Sequence, residues 1–557
     1  MGSVGYPLRS AISLLIICLA LSPCKASPPL ILSSTTYDST QGDGFLECLT
    51  VSSQHYEIKF YAPESNSYKT ILQACIGNLR FASPETPKPR FIVTPSHESQ
   101  VQTLVVCSRK HGLQIRVLSG GHDYEGLSYT SRVPFVMIDL VNLRSISIHI
   151  QDNSAWVQAG ATLGEVYYRI AEKSRLHGFP AGFCHTVGVG GHISGGGYGG
   201  LMRKYGVAAD HVVDARLVNA NGEILDRETM GEDLFWAIRG GGAASFGVIL
   251  AFKINLVLVP PVVTVSAINM TMEPETIAEI VHKWQYAAYS EVPKELSIEV
   301  IIFGMANNNN NNGTSSMLIA FQIIFLGPKE ELLNLMKEKF HELRLEQNDY
   351  IEMSWIESTL FLDGYPNASS LNVLLDRTIQ NKEAFKVKSD FVTTPISKIE
   401  FKRIIKRFVK EENFVMRLSP WGGRMNAISE KKIAFPHRYG NMYIITYMAW
   451  DGNQEGRTRT SQMCIKRSRE FYSFMSPYVS KSPRAAYLNN RDLDLGQNKI
   501  NGNTTYSEAR IWGEKYFKSN FEKLVKVKSE VDPSNFFANE QSIPLIPENC
   551  KGFKAVS

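Results

Sequence analysis

The feature that most constrains this chain is the glycine-dense run Phe179-Pro-Ala-Gly-Phe-Cys-His-Thr-Val-Gly-Val-Gly-Gly-His-Ile-Ser-Gly-Gly-Gly-Tyr-Gly-Gly200. Backbone without Cβ atoms can approach a large polar ligand, and its N–H groups suit a pyrophosphate. Gly195-x-Gly197-x-x-Gly200 meets the dinucleotide fingerprint only formally. No clear strand precedes it, and no βαβ unit with a ribose-binding acid follows, which argues against an ordinary Rossmann unit. A purely structural loop would not need so many glycines. A second glycine turn lies upstream, at Ser119-Gly120-Gly121-His122-Asp123-Tyr124-Glu125-Gly126. Taken alone, His122 there reads as a turn residue.

The rest of the chain is that of a packed protein of more than one domain. It has 557 residues, 44% of them apolar and 20% charged, which suits neither a disordered nor a fibrous chain. A net charge of +5 is too slight to argue for nucleic acid or an anionic membrane surface. Residues 1–26 read as a signal peptide: Arg9, an apolar stretch from Ala11 to Leu21, then Cys24-Lys25-Ala26. That stretch is about half of the ~20 residues needed to cross a bilayer. The expected location is the secretory pathway, and beyond it the extracellular space, apoplast or vacuole. Four N-x-S/T tripeptides, at Asn269, Asn312, Asn367 and Asn503, fit that route as glycan acceptors. The cysteines show no metal-ligand spacing, so no metal site is expected.

Strand and helix patterns alternate after the connector Pro84–Pro89. Phe91–Val93, Gln114–Leu118 and Phe135–Leu140 read as strands, His97–His111 as a helix. Ile146–Ile150 and Ala155–Ala159 read as a hairpin, and Thr162 with Glu165 as a capping box opening another helix. This mixed pattern runs to 261. Residues 262–480 lose the glycine-rich chemistry and look like a sheet-rich second domain, with strands such as Leu318–Phe325. Residues 481–557 look able to return to the first domain.

The two glycine tracts together, 116–128 and 179–200, closely resemble the berberine bridge enzyme-like family, flavoproteins of the vanillyl-alcohol oxidase type. Trp156–Tyr168, Gly231–Gly247, Arg491–Gly496, Tyr506–Phe517 and Val531–Pro544 extend the resemblance over nearly the whole mature chain, and it looks closest to the plant members that include the cannabinoid synthases. The resemblance implies an α+β, two-domain fold: an FAD-binding domain made of 27–261 and 481–557, and an antiparallel-sheet substrate domain, 262–480. It implies FAD bound covalently at two points, to His122 and to Cys184; a thiolate and an imidazole nitrogen are suitable nucleophiles for an oxidised flavin. Ser119, Gly120, Gly121, Val187, Gly188, His192, Gly196 and Gly197 would support the cofactor, with Gly247 and Val248 closing a second wall. It also implies a Cys48–Cys107 disulfide. Three positions depart from the usual pattern: His185 replaces proline, Leu118 replaces arginine, and Thr446 stands where alcohol-oxidising members carry Gln or Glu.

By the same resemblance Tyr506 is the base, its phenolate stabilised by neighbours because an unperturbed tyrosine ionises near pH ~10. Tyr124, Tyr443 and Thr446 would line the substrate cavity, while His437, Arg438, Asp492 and Asp494 read as structural. The implied activity is oxidation of a phenolic substrate, prenylated ones included. Hydride passes to the flavin, and molecular oxygen, with room beside Val187, leaves as hydrogen peroxide. A redox-neutral Diels–Alder cyclase is one alternative. A carbohydrate or monolignol oxidase is another, made less favourable by Thr446, and a secreted protein with an inert flavin is a third. A monomer is expected.

Overall fold

The computed structural model describes residues 44–52, 58–304, 316–380, 382–450, 458–500 and 502–546. Residues 1–26, read above as a signal peptide, and Asn312 lie outside them. Among the described residues, no helix is long and apolar enough to cross a membrane.

The chain is α+β. A four-stranded sheet carries the first glycine turn, with Phe91–Val93 and Gln114–Leu118 flanking Phe135–Asp139 in parallel and the short Phe60–Tyr61 at its edge. A five-stranded antiparallel sheet follows, in which Val248–Asn255 pairs on one side with Ser154–Gln158 and on the other with Val212–Val218. Between the hairpin and the second tract, helix Leu163–Lys173 opens on the expected capping box: Thr162 N–H donates to Glu165 at 2.9 Å, and Glu165 N–H to Thr162 at 3.3 Å. Two orphan N–H groups are thereby satisfied at the point where the chain must turn toward the cradle. The disulfide Cys48–Cys107 joins helix Gly44–Ser52 to helix Glu98–Lys110.

The largest sheet has seven antiparallel strands drawn from residues 263–450, with Leu296–Gly304, Phe414–Pro420 and Tyr443–Trp450 near its centre. Helices Pro274–Tyr286, Lys398–Phe408 and Thr458–Met475 cover its outer face around Trp284, Phe401, Phe408 and Phe471. The inner face looks toward the glycine tracts.

The cores do not divide along simple sequence lines. One hydrophobic cluster runs from Phe45 to Ile543 and takes in Trp512, Phe517 and Phe521 as well as Trp355, Leu360 and Leu374. Lys528, wholly buried, fastens the chain end: its Nζ reaches Asp532 at 2.6 Å, the Ser245 carbonyl at 2.7 Å and the Phe537 carbonyl at 3.0 Å. That anchor fixes the turn leading into Gly247. Arg203, just after the second tract, crosses between the cores. Its guanidinium donates to the carbonyls of Leu296 at 2.8 Å, Trp421 at 2.5 Å and Val292 at 3.2 Å, and also to that of Ala288.

Candidate active site

A cavity of about 480 Å³ separates the glycine tracts from the inner face of the large sheet. On one side the wall is mostly backbone. Gly120 and Gly188 meet so closely that a Cβ on Gly120 would lie 2.2 Å from the Gly188 nitrogen, and one on Gly188 would lie 2.1 Å from Ser119 Oγ. Ser119 Oγ donates to the Ala159 carbonyl at 2.5 Å and accepts from Gly190 N–H at 3.3 Å, which locks the two turns together. Gly121, with φ of +75°, needs glycine's freedom. A Cβ on Gly191 would meet nothing within 4 Å, so bare backbone faces the cavity there. This cradle fits a pyrophosphate.

Ser119, Gly120, Gly121, His122, Cys184, Val187, Gly188, His192, Gly247 and Val248 all line the cavity, as the resemblance implied. Gly196 and Gly197 do not. With φ of +115° and +76° they form the turn beneath the cradle, where Gly197 N–H meets the Tyr487 hydroxyl at 3.0 Å; Gly190, Gly191 and Gly195 line the cavity instead.

His122 Nε2 lies 2.9 Å from Thr186 Oγ1. Burial, and then the neighbouring His185, lowers its pKa to about 4, so the ring is neutral at pH 7. In the tautomer whose Nε2–H donates to Thr186, Nδ1 carries the free lone pair. His192 is likewise lowered to about 4 by burial, and its Nε2 accepts from Gly182 N–H at 3.2 Å. Cys184 Sγ lies 3.6 Å from Thr186 Oγ1. The Cys184 sulfur is disulfide-bonded; a thioether to flavin and that disulfide exclude each other. His185, the departure from proline, places Nδ1 2.5 Å from an oxygen of Asp363, both side chains 2% exposed.

The other wall is built from side chains. Thr446, Met448 and Trp450 project from one strand, with Val415, Arg417 and Phe385 from its two neighbours and Glu299 from the strand beyond. Tyr443 faces away: its ring packs edge-on to Trp284 at 5.2 Å, and its hydroxyl meets Gln285 at 3.3 Å. The reason is parity. Successive strand residues point to opposite faces, so Tyr443 and Thr446, three apart, cannot share one. Tyr124 lines the cavity beside Phe385, ring centroids 5.5 Å apart.

Tyr506 is not at this cavity. It opens helix Tyr506–Phe517 with its ring stacked on Phe521 at 5.6 Å, and burial raises its pKa. Its place as base is withdrawn. The C-terminal return contributes Asn490 and Arg491 to the lining instead. Asn490 Nδ2 donates to Thr446 Oγ1 at 3.0 Å, and Arg491 pairs with Asp123 at 3.3 Å. Arg417 pairs with Glu299 at 3.0 Å. Asn490 and Arg491 sit at the edge of the matching stretch Arg491–Gly496 and were within reach of sequence reasoning. Arg417 and Glu299 carry no motif.

His437 and Arg438 are structural, as read: His437 stacks on Phe391 at 4.1 Å, and Arg438 grips Asp210 at 2.7 and 2.8 Å. Asp492 bridges the buried Lys386 and Lys388 at 2.6 Å each, and Asp494 joins them. Among the described residues, no group of His, Cys, Asp and Glu could hold a metal ion.

The family described as FAD binding domain matches residues 89–227, and that described as berberine and berberine like matches 486–544. The tetrahydroberberine oxidase of Berberis wilsoniae is 53% identical over 522 residues, covering 92% of this chain and 96% of that one. The chain belongs to the berberine bridge enzyme-like family. It is therefore an FAD-dependent oxidoreductase of the vanillyl-alcohol oxidase fold, as the resemblance implied. A cannabidiolic acid synthase-like protein of Cannabis sativa is 47% identical over 494 residues, covering 87% of this chain and 90% of that one. The structure of the Arabidopsis thaliana berberine bridge enzyme-like protein 28 superposes with a TM-score of 0.84 at 45% identity, covering 91% of this chain and all of that one.

Proposed function

We propose that this berberine bridge enzyme-like oxidase dehydrogenates a rigid aromatic amine at a carbon–nitrogen bond, the class to which tetrahydroberberine belongs, with oxygen as acceptor. The observation that carries this is the state of the acids and bases lining the cavity. Three of its four lining carboxylates, Asp123, Glu299 and Asp363, are held by Arg491, Arg417 and His185 respectively, and Glu383 is the fourth. Its tyrosines are poor phenolates: burial pushes Tyr198 and Tyr365 up to about 12 and raises Tyr124 and Tyr487. Oxidation beside nitrogen needs no base, because the lone pair forms the C=N bond as hydride leaves. FAD, when bound, would supply the hydride acceptor and the link to oxygen, with peroxide as co-product. Tyr124, Phe385, Trp450 and Met448 supply flat apolar contact to a fused aromatic ring, and the Asn490–Thr446 bond offers a neutral edge for an ether or hydroxyl.

A phenolic substrate remains the second reading, favoured by the likeness to a cannabidiolic acid synthase-like protein; it would need a base drawn from the lining carboxylates or histidines. We further propose attachment of FAD at His122 Nδ1 and at Cys184, the latter once its disulfide is open, and passage through the secretory route. Asn269, Asn367 and Asn503 are exposed and accessible to glycosylation. Anaerobic stopped-flow with tetrahydroprotoberberines, prenylated phenols and sugars tests the proposal. Bleaching of the flavin by the amines, with one peroxide per iminium once air is admitted, supports it. Bleaching by phenols alone overturns it, and product formed without any bleaching gives the redox-neutral cyclase.

A further inference from the structure

We propose that Glu299 and Arg417 together select the substrate by its oxygen pattern: a ring hydroxyl donates to Glu299 while an ether oxygen on the next ring carbon accepts from Arg417. This rests on the reading, given above, that the cavity takes a rigid aromatic amine. Three observations carry it. The pair spends only part of its bonding capacity on itself. Arg417 Nη1 donates to Glu299 Oε2 at 3.0 Å, and among the described residues Arg417 Nη2 and Glu299 Oε1 have no hydrogen-bond partner. Arg417 Nε is buried, whereas Nη2 and Oε1 keep accessible surface; both residues line the cavity, so that surface opens into it. The pair also ends a polar row across the sheet wall. Thr446 stands directly opposite Arg417 on the neighbouring strand, and Asn490 bonds to Thr446 at 3.0 Å. The rows beside it are apolar: Val415 opposes Met448, and Phe385 opposes Trp450. A fused aromatic ring lying on those rows has one edge along the polar row.

The two open atoms fix the chemistry of that edge. A ligand carboxylate would suit Arg417 but would meet the like charge of Glu299, which lies at hydrogen-bond distance from the guanidinium. An ammonium would suit Glu299 and be repelled by Arg417. It would also have no lone pair with which to form a C=N bond, so the reacting nitrogen is not the group held here. What complements both atoms is a neutral edge with a donor beside an acceptor. On an aromatic ring, a hydroxyl next to an ether has that form, and each of its two bonds is charge-assisted. An edge with two ethers satisfies Arg417 but leaves Glu299 Oε1 stripped of water with no donor, which is how a polar site rejects an analogue lacking one hydroxyl.

The test compares two tetrahydroprotoberberines of one skeleton, the first with a hydroxyl beside a methoxyl group and the second with both oxygens methylated. Anaerobic stopped-flow on the FAD-loaded, full-length protein gives a dissociation constant and a limiting rate of flavin reduction for each. Wild type should bind the hydroxyl compound about 10- to 100-fold more tightly, the worth of one hydrogen bond to a charged group. The limiting rates should differ far less, because the contact is made equally before and during the reaction. Glu299→Gln should lose most of that preference. The double variant Glu299→Gln with Arg417→Met removes both charges at once, so no unpaired ion is left behind, and it should lose the preference too. A packing defect would weaken both compounds alike and leave their ratio standing. Equal dissociation constants in wild type, or an undiminished ratio in Glu299→Gln, would overturn the proposal while the amine reading stands. Bleaching by neither amine would overturn that reading, and this proposal with it.

Discussion

The two walls of the cavity are made of different material. The cradle is backbone: Gly120 and Gly188 are glycines because the chain passes too close to itself for anything else, and at Gly190 a Cβ would still lie 3.1 Å from the Ala159 carbonyl oxygen. The sheet wall is side chains, set two residues apart on strands that any β-branched or aromatic residue could occupy. The cradle therefore tolerates almost no substitution and says little about what is oxidised. The sheet wall tolerates many and decides the substrate. A cofactor shared across a family can be written into a motif, whereas a substrate specific to one member cannot.

The largest expected effect is on the cradle. Gly188→Ala puts a methyl 2.1 Å from Ser119 Oγ and 2.3 Å from the Gly120 nitrogen. Backbone must shift, at about 1–3 kcal/mol, and flavin content in the purified protein should fall several-fold, with a lower melting temperature. An unchanged flavin-to-protein ratio would mean that the two turns do not cooperate in binding. Next comes Arg417→Leu on the sheet wall. It strands Glu299, 7% exposed, as a buried carboxylate. Breaking a pair in this way costs about 3–5 kcal/mol when fully buried, less here because the cavity admits solvent. Flavin content should survive while kcat/KM falls, the opposite signature to Gly188→Ala.

Acid sharpens the comparison from the cradle side. His122 and His192 have folded pKa values lowered to about 4 from 6.5. Between those values the unfolded chain binds more protons than the folded one, so stability rises with pH across this window. It should be complete above about pH 6.5 and lost progressively as pH falls toward 4, with the loss tempered because both rings open on the cavity. Melting curves of protein prepared without flavin measure this, and His192→Asn should flatten the slope. A profile flat from pH 7 to 4 would contradict the burial that lowers both rings. The smallest effect is expected from Tyr506→Phe. Flavin reduction by the true substrate should proceed at the wild-type rate, since the hydroxyl lies outside the cavity; a marked slowing would restore Tyr506 as the base.

The regular elements were legible from local chemistry: the Thr162–Glu165 box, the hairpin before it and the helix after the first strand all form where the sequence puts them. So were the glycine turns, because close backbone approach leaves its mark directly in residue type. The errors came from distance and direction. Tyr506 looked catalytic by its motif, but helix Tyr506–Phe517 turns its first residue onto Phe521. Tyr443 was set beside Thr446 although an odd spacing on a strand forbids it, a point that period two alone could have decided. Arg417 and Glu299 were invisible because they meet only when two strands 118 residues apart in sequence pair across the sheet.

Arg203 bears on how a molecule gets in. Arg203 belongs to the cradle side and its guanidinium is spent on carbonyls of the sheet side, at Ala288, Val292, Leu296 and Trp421, so swinging the halves apart would break several charge-assisted bonds together, each worth about 1.5–3 kcal/mol. Entry by a hinge is too costly to recur every cycle. Ligands must instead pass a mouth widened by side-chain rotations, which take picoseconds to nanoseconds. The chamber then acts as a fixed mould rather than a closing hand: bulky, stiff molecules are sorted by outline before any chemistry begins, and a flexible one of equal mass loses more entropy on entry.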